Sequence, residues 1–577
     1  MKRWISIVLL LMTQAAFSQR VYHVAISGND RNPGTSMRPL RTINAAAQRA
    51  KPGDNVIVHT GIYREWVQPE HAGTKMHPIV YEAAPQESVW IKGSEVVKGW
   101  IKQPDGKWQV QLPDHFFGHY NPYNDLIYGD WFFPAGKKFH TGQVYLNGKA
   151  LKELIDWTSS HQNDLTTLTA NFGTADPNKE LAEINVRPAC FYPVRTGVNY
   201  VTVKGFHMAQ AATQWAAPTA EQVGIIGTNW SKGWIIEDNV ISDSRCAGIT
   251  LGKDRASGQN PWSADMNRDG AVIYNAMVKK VIAEGWAKAK IGSHLVRHNE
   301  IYSCGQAGIC GSFGAIYSKI IDNDIHDIYT DRSYYGAEMA GIKLHAAVDV
   351  EISGNRIYNT FIGIWLDWMA QGTRVSRNLL YQNDYVDFFP EVDHGPYLVE
   401  NNFLLSTHSI KDYSEGGAYI HNLIAGSVSC APQGRVTPWF KPNTTILAGE
   451  DSIKGGDDRF YANVFVRGKT VTAPPKMHPW DEPDSDAAYG LACYRNTALI
   501  KTAGNVYIKN RSALLITNGQ VYLKFIGWPT KILIGTSLGK TKLTGETFPA
   551  PDNKTSITGP LRYVRPGINK VLIWQGK

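Results

Sequence analysis

The sequence lacks several features that would point to other classes of protein. Only 19% of its 577 residues are charged, which is too few for a disordered or coiled-coil chain. The formal net charge is +8, but the basic residues are scattered, so no nucleic-acid partner is expected. Beyond the N-terminus no apolar stretch is long enough to cross a membrane, and no membrane anchor is expected. The six cysteines show no metal-ligand spacing, and we expect small buried apolar side chains rather than a disulfide framework.

The N-terminus has the pattern of a signal peptide. Lys2 and Arg3 precede a short apolar segment at 5–12, and A-F-S at 16–18 is a small-x-small cleavage site. We therefore predict cleavage after Ser18 and a periplasmic or secreted protein. No cysteine lies at the cleavage point, which argues against a lipoprotein anchor.

Two short motifs recur through the middle of the chain. One is an asparagine followed by two mostly apolar residues, and the other is Gly-Ile-x-Leu-x or a close variant. The first motif begins at Asn239, Asn299, Asn323, Asn355, Asn378, Asn402, Asn422 and Asn463, and the second at Gly248, Gly308, Gly341 and Gly363. The alternation of apolar and variable residues in the second motif is typical of a strand with one buried face. A period of about two dozen residues, without a long helical pattern, predicts a parallel β-helix whose stacked coils share one core.

We interpret the asparagine motif as structural. A buried asparagine at a corner of the coil is expected to hydrogen-bond along its own stack and to adopt a left-handed backbone conformation. No chemical role is assigned to these residues.

The repeat is interrupted once, which divides the chain. The predicted parts are a signal peptide at 1–18, an N-terminal cap with the first coils at 19–94, an inserted β-sandwich-like domain at 95–195, the main β-helix at 196–510 and a C-terminal β segment at 511–577. The inserted part has alternating strands and turns but no asparagine column. A short helix over 41–50 is expected to cap the solenoid. The predicted fold class is all-β, a right-handed parallel β-helix interrupted by a β-sandwich.

The register of the repeat predicts a column of side chains on the outer surface. Because the Ile and Leu of Gly-Ile-x-Leu-x point inward, the third and fifth positions point outward. Asp367 lies 11 residues before Asn378, and Glu391 lies 11 residues before Asn402. His345, Asp367 and Glu391 should therefore form one outward column on successive coils.

Two carboxylates stacked in this way are typical of a glycosidase. Neighbouring strands lie about 4.8 Å apart, so the carboxyl groups should be about 5 Å apart. Retaining glycosidases have a separation of about 5 to 5.5 Å, and inverting enzymes about 6.5 to 9.5 Å. Two like charges beside Trp365 and Trp368 should not both ionise easily, so one becomes the proton donor. The residues alone leave open which of the two carboxyl groups is the proton donor. They also leave open whether the two are ordinary surface carboxylates in contact with solvent.

Several segments resemble glycoside hydrolase family 120, the β-xylosidases with a parallel β-helix. The most specific are A-G-I-K-L-H-A-A-V-D-V at 340–350, G-I-W-L-D-W-M-A-Q-G-T-R-V-S-R-N at 363–378, E-V-D-H-G-P-Y-L-V at 391–399, I-N-V-R-P-A-C-F-Y-P at 184–193 and N-W-S-K-G-W-I-I-E-D-N at 229–239. The resemblance extends to about residue 465. It implies that the inserted domain is immunoglobulin-like.

The resemblance also implies a function and a set of site residues. It implies a retaining, exo-acting β-xylosidase that releases xylose from xylo-oligosaccharides and requires no cofactor or metal. Asp367 would be the nucleophile and Glu391 the acid/base. The resemblance implies a sugar-binding role for Trp131, Glu338 and Lys343. The further candidate substrate-binding residues are His345, Trp365, Trp368 and His394. A homo-oligomer is compatible with the sequence.

Two other functions remain open from the sequence. A β-helix polysaccharide lyase or epimerase acting on an acidic glycan would use basic groups such as Lys343, His345 and Arg374. A non-catalytic carbohydrate-binding solenoid would bind sugars without turnover. A lyase would yield unsaturated products that absorb in the ultraviolet, whereas a binding protein would be indifferent to Asp367→Ala.

Overall fold

The structure is a computed structural model that describes residues 19–259, 270–467, 487–496 and 500–508, with four further strands between 512 and 546. The predicted signal peptide at 1–18 and the end of the predicted C-terminal segment, 547–577, lie outside the described residues.

Three parallel sheets form the walls of a right-handed β-helix, as predicted. The first has 13 strands: Val21–Val24, Asn55–Val58, Ile79–Ala83, Val201–Lys204, Ile235–Glu237, Leu295–Arg297, Lys319–Ile321, Glu351–Ser353, Arg374–Ser376, Tyr397–Glu400, Gly417–Ile420, Arg459–Tyr461 and Lys501–Ala503. The second has 12: Gly61–Tyr63, Val89–Lys92, His207–Ala209, Val240–Ser242, Glu300–Tyr302, Asp324–His326, Arg356–Tyr358, Leu379–Tyr381, Phe403–Leu404, Leu423–Ile424, Val464–Val466 and Val506–Ile508. The third has eight: Ile226–Gly227, Ala247–Thr250, Ala307–Ser312, Ala340–His345, Ile362–Asp367, Val386–Glu391, His408–Asp412 and Ser427–Cys430.

The interior of the solenoid is built from ladders of apolar side chains. Each strand contributes one inward residue that pairs with its counterpart one coil away, so a single coil could not bury its own apolar face. In the eight-stranded sheet the ladder consists of Ile226, Ile249, Ile309, Ile342, Ile364, Phe388, Ile410 and Val428, all fully buried. All six cysteines are buried as well, as expected for small apolar side chains.

The asparagine motif forms a continuous hydrogen-bonded stack. Asn355 Oδ1 accepts hydrogen bonds of 3.0 Å from both the backbone N and the Nδ2 of Asn323, and Asn355 Nδ2 donates to the carbonyl of Ile320 at 2.9 Å. The predicted stacking is confirmed. The expected left-handed conformation of the asparagines is wrong, because positive φ belongs to the residue before each one, such as Asp322 (55°) and Gly354 (71°). The tight turn is made there, and the asparagine itself can then point along the stack.

The insertion contains two four-stranded antiparallel sheets. One is formed by Lys149–Ala150, Val144–Leu146, Ala182–Asn185 and Ser94–Val96, and the other by Trp157–Gln162, Leu165–Ala170, Trp108–Pro113 and Ile101–Lys102. Their facing sides share a core that includes Trp100, Trp157 and Leu168. A two-stranded pairing of Phe132–Phe133 with Tyr335–Gly336 joins the insertion to the solenoid.

Helices are few in the described part of the chain. The cap helix, Ile43–Ala47, is shorter than predicted and begins after Thr42, whose side chain accepts a hydrogen bond from Ala45 N. Short 3-10 turns lie at Asp114–Phe116 and Ala492–Asn496. The helix Gly270–Ala283 was not predicted. No helix among the described residues is long and apolar enough to span a bilayer.

Two added elements lie against the outer face of the eight-stranded sheet. They are the helix Gly270–Ala283 and an antiparallel hairpin, Val436–Phe440 with Leu447–Ser452. Their buried side chains, among them Tyr274 and Phe440, pack with Trp368 and Val392 in a second apolar cluster. Side chains that point outward from this sheet are therefore covered rather than solvated. Toward the C-terminus a four-stranded antiparallel sheet comprises Ser512–Thr517, Gln520–Phe525, Lys531–Ser537 and Lys540–Glu546.

Candidate active site

The predicted outward column is confirmed by the strand register. His345 pairs with Asp367, and Asp367 pairs with Glu391, on three successive coils. Ser312 precedes the column and Tyr413 follows it. Asp367 is 6% exposed and Glu391 is 8% exposed, so both residues are buried beneath the covering elements and retain only a small contact with solvent.

A second outward column runs beside the first. Lys343 pairs with Trp365, which pairs with Phe389. The Trp365 and Phe389 rings are stacked with centroids 5.1 Å apart, and the Lys343 ammonium lies 2.9 Å from the centroid of the Trp365 ring. Both faces of Trp365 are therefore occupied, and a sugar ring cannot stack on this residue. Its Nε1 instead donates a hydrogen bond of 3.0 Å to Glu391 Oε2.

The two oxygens of Asp367 have different surroundings. Oδ2 accepts a hydrogen bond of 2.7 Å from Lys343 Nζ and lies 3.4 Å from His345 Nε2. Oδ1 has no hydrogen-bond partner among the described residues, although it is buried. One oxygen is thus held in place by a cation, and the other is left available to a ligand.

Glu338 completes the cluster on the same side. Its Oε2 lies 3.4 Å from Lys343 Nζ and 3.3 Å from His345 Nε2. Glu338, His345 and Asp367 offer three potential metal-ligand atoms within 4.8 Å of one another. The Lys343 ammonium already supplies a positive charge to both carboxylates, so the arrangement fits an ion-pair network better than a cation site.

Both oxygens of Glu391 are hydrogen-bonded. Oε2 accepts from Trp365, and Oε1 accepts from Arg435 Nη2. The attraction of Glu391 outweighs the opposing effect of burial and raises the pKa of Arg435 above its ordinary value. Glu391 is therefore held on two sides, whereas Asp367 is held on one.

Trp368 serves as a packing residue in this structure. It is 3% exposed, and its Nε1 donates a hydrogen bond of 3.0 Å to Asn275 Oδ1 on the covering helix. Tyr274 meets its ring edge-on at 5.6 Å, and the guanidinium of Arg435 lies 5.6 Å from its centroid. These contacts favour a packing role for Trp368 over the predicted role in substrate binding.

Trp131 lies where the insertion reaches the solenoid. Its backbone carbonyl accepts a hydrogen bond of 2.9 Å from Ala337 N, one residue before Glu338. Its side chain is partly buried against the solenoid core. The insertion therefore places an aromatic residue beside the segment that carries Glu338.

His394 is engaged away from the carboxylates. Its Nδ1 lies 2.8 Å from Glu415 Oε1, and its Nε2 lies 3.0 Å from the carbonyl of Thr437. Its ring also meets Trp439 at 5.1 Å. These contacts attach the hairpin to the solenoid and do not bring His394 to the carboxylate cluster.

Three residues of the site were missed by the sequence reasoning. Arg435 and Tyr274 come from the hairpin and the helix, neither of which belongs to the repeat. Tyr274 hydrogen-bonds Ser312 at 3.1 Å and meets the ring of His345 at 5.2 Å, and burial, with the negative charge of Asp367, raises its pKa well above the ordinary value. Asp393 lies beneath the site, where burial, with nearby negative charges, raises its pKa well above its usual range. Only Asp393 had a signal in the sequence, since it follows Glu391 by two residues.

Comparison with known proteins places this fold and site in one class, the β-helix glycoside hydrolases. Residues 97–157 match the family model of the glycoside hydrolase 120 insertion domain, residues 223–423 that of the right-handed β-helix region, and residues 26–102 that of a family of unknown function. The chain is 41% identical to the protein in a solved complex of XylC with xylose, over 87% of this chain and 89% of that one, with a TM-score of 0.80. The chain belongs to glycoside hydrolase family 120.

A curated relative matches only a small part of the chain. The uncharacterized protein YwoF of Bacillus subtilis (strain 168) is 33% identical over 82 residues. The match spans 14% of this chain and 18% of the length of that relative.

Proposed function

We propose that the chain is a retaining, exo-acting β-xylosidase that releases xylose from xylo-oligosaccharides, with Asp367 as nucleophile and Glu391 as acid/base. The observation that carries this proposal is the difference between the two carboxylates. Asp367 Oδ1 is unpartnered among the described residues, while Oδ2 is bound to Lys343. A nucleophile needs one free oxygen and a fixed orientation, and Asp367 has both.

The proposed reaction proceeds in two displacements. Glu391 gives its proton to the leaving oxygen, the bond from that oxygen to the anomeric carbon breaks, and Asp367 Oδ1 bonds to the anomeric carbon. In the second step Glu391 takes a proton from water, whose oxygen attacks the same carbon and releases Asp367. Two inversions give net retention. The adjacent-coil register of the pair supports this mechanism over an inverting one, which needs a wider gap.

The charge of the cluster favours a neutral sugar over an acidic one. Three carboxyl groups, those of Glu338, Asp367 and Glu391, face two basic side chains, Lys343 and Arg435. The surplus of acidic groups suits a transition state with positive charge on the sugar ring and disfavours a uronate.

Two of the three basic residues considered for a lyase, Lys343 and Arg374, are held in other ion pairs. Lys343 is 1% exposed and bound between two carboxylates. Arg374 lies in the 13-stranded sheet, where it forms an exposed ion pair with Glu400. Neither is available as a base in the cleft, which also supports a hydrolase over a lyase.

The remaining assignments belong to the same proposal. The substrate partner is a small xylo-oligosaccharide, and XylC is the relative solved with xylose. The reaction requires no cofactor, because the acid, base and nucleophile are all side chains. A signal peptide cleaved after Ser18 would place the enzyme in the periplasm or outside the cell, where such oligosaccharides are met.

The test combines two carboxylate variants with the stereochemistry of the product. Asp367→Asn and Glu391→Gln should each lower kcat on xylobiose by at least about a hundredfold. Asp457→Asn, at a 68% exposed carboxylate, is the matched control and should leave kcat within about twofold. Early NMR spectra of the wild-type reaction on an aryl β-xyloside, whose leaving group is not a reducing sugar, should show β-xylose before mutarotation. Near-normal turnover in Asp367→Asn, or α-xylose as the first product, would overturn the proposal.

A further inference from the structure

Arg435 is a cation at the site that the proposed double displacement does not use. Its Nη2 hydrogen-bonds Glu391 Oε1 and also donates to Gln433 Oε1 at 3.1 Å. Its side chain is 33% exposed, whereas that of Lys343 is 1% exposed. Lys343 is therefore enclosed, while Arg435 lies at the mouth of the cleft, where an incoming ligand can reach it.

The backbone that carries Arg435 is firmly attached. Ile453 N donates to the carbonyl of Arg435 at 3.1 Å, across the base of the hairpin. The hairpin is joined to the solenoid by Gln371, which exchanges hydrogen bonds of 2.8 and 2.9 Å with the backbone of Phe440, and by Thr437 Oγ1, which donates to the carbonyl of Val392 at 3.1 Å. Any rearrangement at Arg435 is therefore confined to its side chain.

The ion pair conflicts with the first chemical step. An acid that protonates the leaving oxygen must carry a proton on an oxygen that faces that atom. Oε2 of Glu391 accepts from Trp365, and Oε1 accepts from Arg435. A guanidinium has donors and no acceptor, so Oε1 remains occupied as an acceptor while the pair is closed. The pair has to open before Glu391 can act as an acid.

The position of Arg435 indicates which part of the substrate opens its ion pair with Glu391. Asp367, His345 and Glu338 form one cluster on the earlier coils, and the reacting xylose must lie against the nucleophile in that cluster. Arg435 contacts only the later carboxylate, Glu391, which has to face the leaving oxygen. The guanidinium therefore lies on the leaving-group side of the scissile bond.

We infer that Arg435 is a positioning residue that binds the hydroxyl groups of the leaving-group sugar and in doing so releases Glu391 Oε1 to take up the proton it donates. This inference rests on the proposed function. The proton comes from solvent, passes from Glu391 to the leaving oxygen, and the Glu391 carboxylate re-forms as that bond breaks. A sugar in the leaving-group site therefore makes Glu391 able to act as the acid. A single xylose bound at the nucleophile does not have this effect.

Other ionisable groups also face Glu391 and bear on the pH dependence. Asp367 is its neighbour on the preceding coil, and Tyr413 is its neighbour on the following coil. Asp393 lies below, where burial, with the nearby negative charges of Asp367 and Glu391, raises its pKa well above its usual range. Among the described residues that surround Glu391, Arg435 is the cation in direct contact with it.

The test compares two substrates across pH in the full-length enzyme. Xylobiose fills the leaving-group site and needs the proton, whereas 2,4-dinitrophenyl β-xyloside has a leaving group that departs without one. For Arg435→Gln we expect KM for xylobiose to rise about tenfold, with less than about twofold change for the aryl xyloside. The alkaline limb of kcat/KM for xylobiose should move to higher pH by at least about half a unit, because no cation then holds Glu391 Oε1. Arg435→Lys should keep the alkaline limb of the wild-type enzyme but should not keep its KM for xylobiose.

The control is Arg374→Gln, which breaks an Arg–Glu pair on the outer surface and should change neither quantity. Equal losses on both substrates with an unmoved alkaline limb in Arg435→Gln would show a merely structural role and overturn the inference. A wild-type enzyme that cleaves neither xyloside would overturn the proposed function and the inference together. The two failures are distinguishable because the second is seen before any variant is made.

Discussion

Lys343 organises the centre of the site because its ammonium serves three groups at once. It hydrogen-bonds Asp367 Oδ2 at 2.7 Å, lies 3.4 Å from Glu338 Oε2 and sits over the ring of Trp365. A buried carboxylate pair would otherwise repel strongly in a cleft with little water. The same contact turns Oδ1 of the nucleophile toward the open side. Lys343 therefore both offsets the charge of the neighbouring carboxylates and fixes the orientation of Asp367.

Lys343→Met tests this role while keeping an unbranched side chain over Trp365. We expect kcat/KM on xylobiose to fall about a hundredfold or more, because the oriented cation beside the nucleophile is lost. Lys319→Met, at a 59% exposed position, should leave activity within about twofold. Thermal unfolding separates a damaged fold from damaged chemistry. The double variant Glu338→Gln/Lys343→Met should recover stability but not activity, and recovery of both would contradict the assignment.

At the scale of the element, the repeat made the column predictable, and the insertions made the rest of the site unpredictable. The 11-residue offset from Asp367 to Asn378 and from Glu391 to Asn402 holds because each coil repeats the same strand and turn, so a position in one coil fixes its neighbour in the next. The helix Gly270–Ala283 lies in the 60-residue interval between Asn239 and Asn299, in a part that carries neither repeat motif. Its packing partners are set by tertiary contacts that no period encodes.

The hairpin shows the same limit. Arg435 meets Glu391 across 44 positions of sequence, at the base of an irregular excursion from the coils. His394 occurs in a segment that resembles the family pattern, and its contacts attach this hairpin instead of reaching the carboxylates. A motif match locates a residue in the chain, but its side-chain partners depend on what is folded over it.

Truncation of one asparagine in the stack should lower the free energy of unfolding by a large amount for the few atoms removed. Asn355→Ala would leave the buried Asn323 N and the Ile320 carbonyl without their present partners. Each unsatisfied buried group costs about 1 to 3 kcal/mol, so we expect a loss of about 3 kcal/mol in the free energy of unfolding, measured in urea. Asn505→Ala is the matched control at the half-buried end of the stack, where water can replace the amide, and should cost about 1 kcal/mol. Equal costs would contradict a cooperative stack.

At the scale of the whole molecule, buried charge joins the insertion to the solenoid. Glu183, on the insertion strand Ala182–Asn185, is fully buried and accepts hydrogen bonds from Lys92 Nζ at 2.9 Å and Arg64 Nη2 at 2.7 Å, both on the solenoid. The same insertion supplies Trp131 and the strand that pairs beside Glu338. The junction therefore couples the docking of the insertion to the shape of the cleft.

Glu183→Gln should weaken this junction in a pH-dependent way. Burial alone would raise the pKa of Glu183, but Lys92 and Arg64 outweigh it and lower the pKa below its ordinary value. The carboxylate therefore stabilises the fold fully above the pKa of the unfolded chain and loses that contribution as pH falls through the folded pKa. At pH 7 we expect the variant to unfold in urea with about 3 kcal/mol less stability, since two buried cations lose their partner, and to show a raised KM for xylobiose. As the pH falls through the lowered folded pKa, the wild-type carboxyl itself becomes protonated, and the difference should shrink. Glu180→Gln, at an exposed carboxylate of the same domain, should show neither effect, and a difference that stays constant with pH would mean that the charge of Glu183 does not hold the insertion in place.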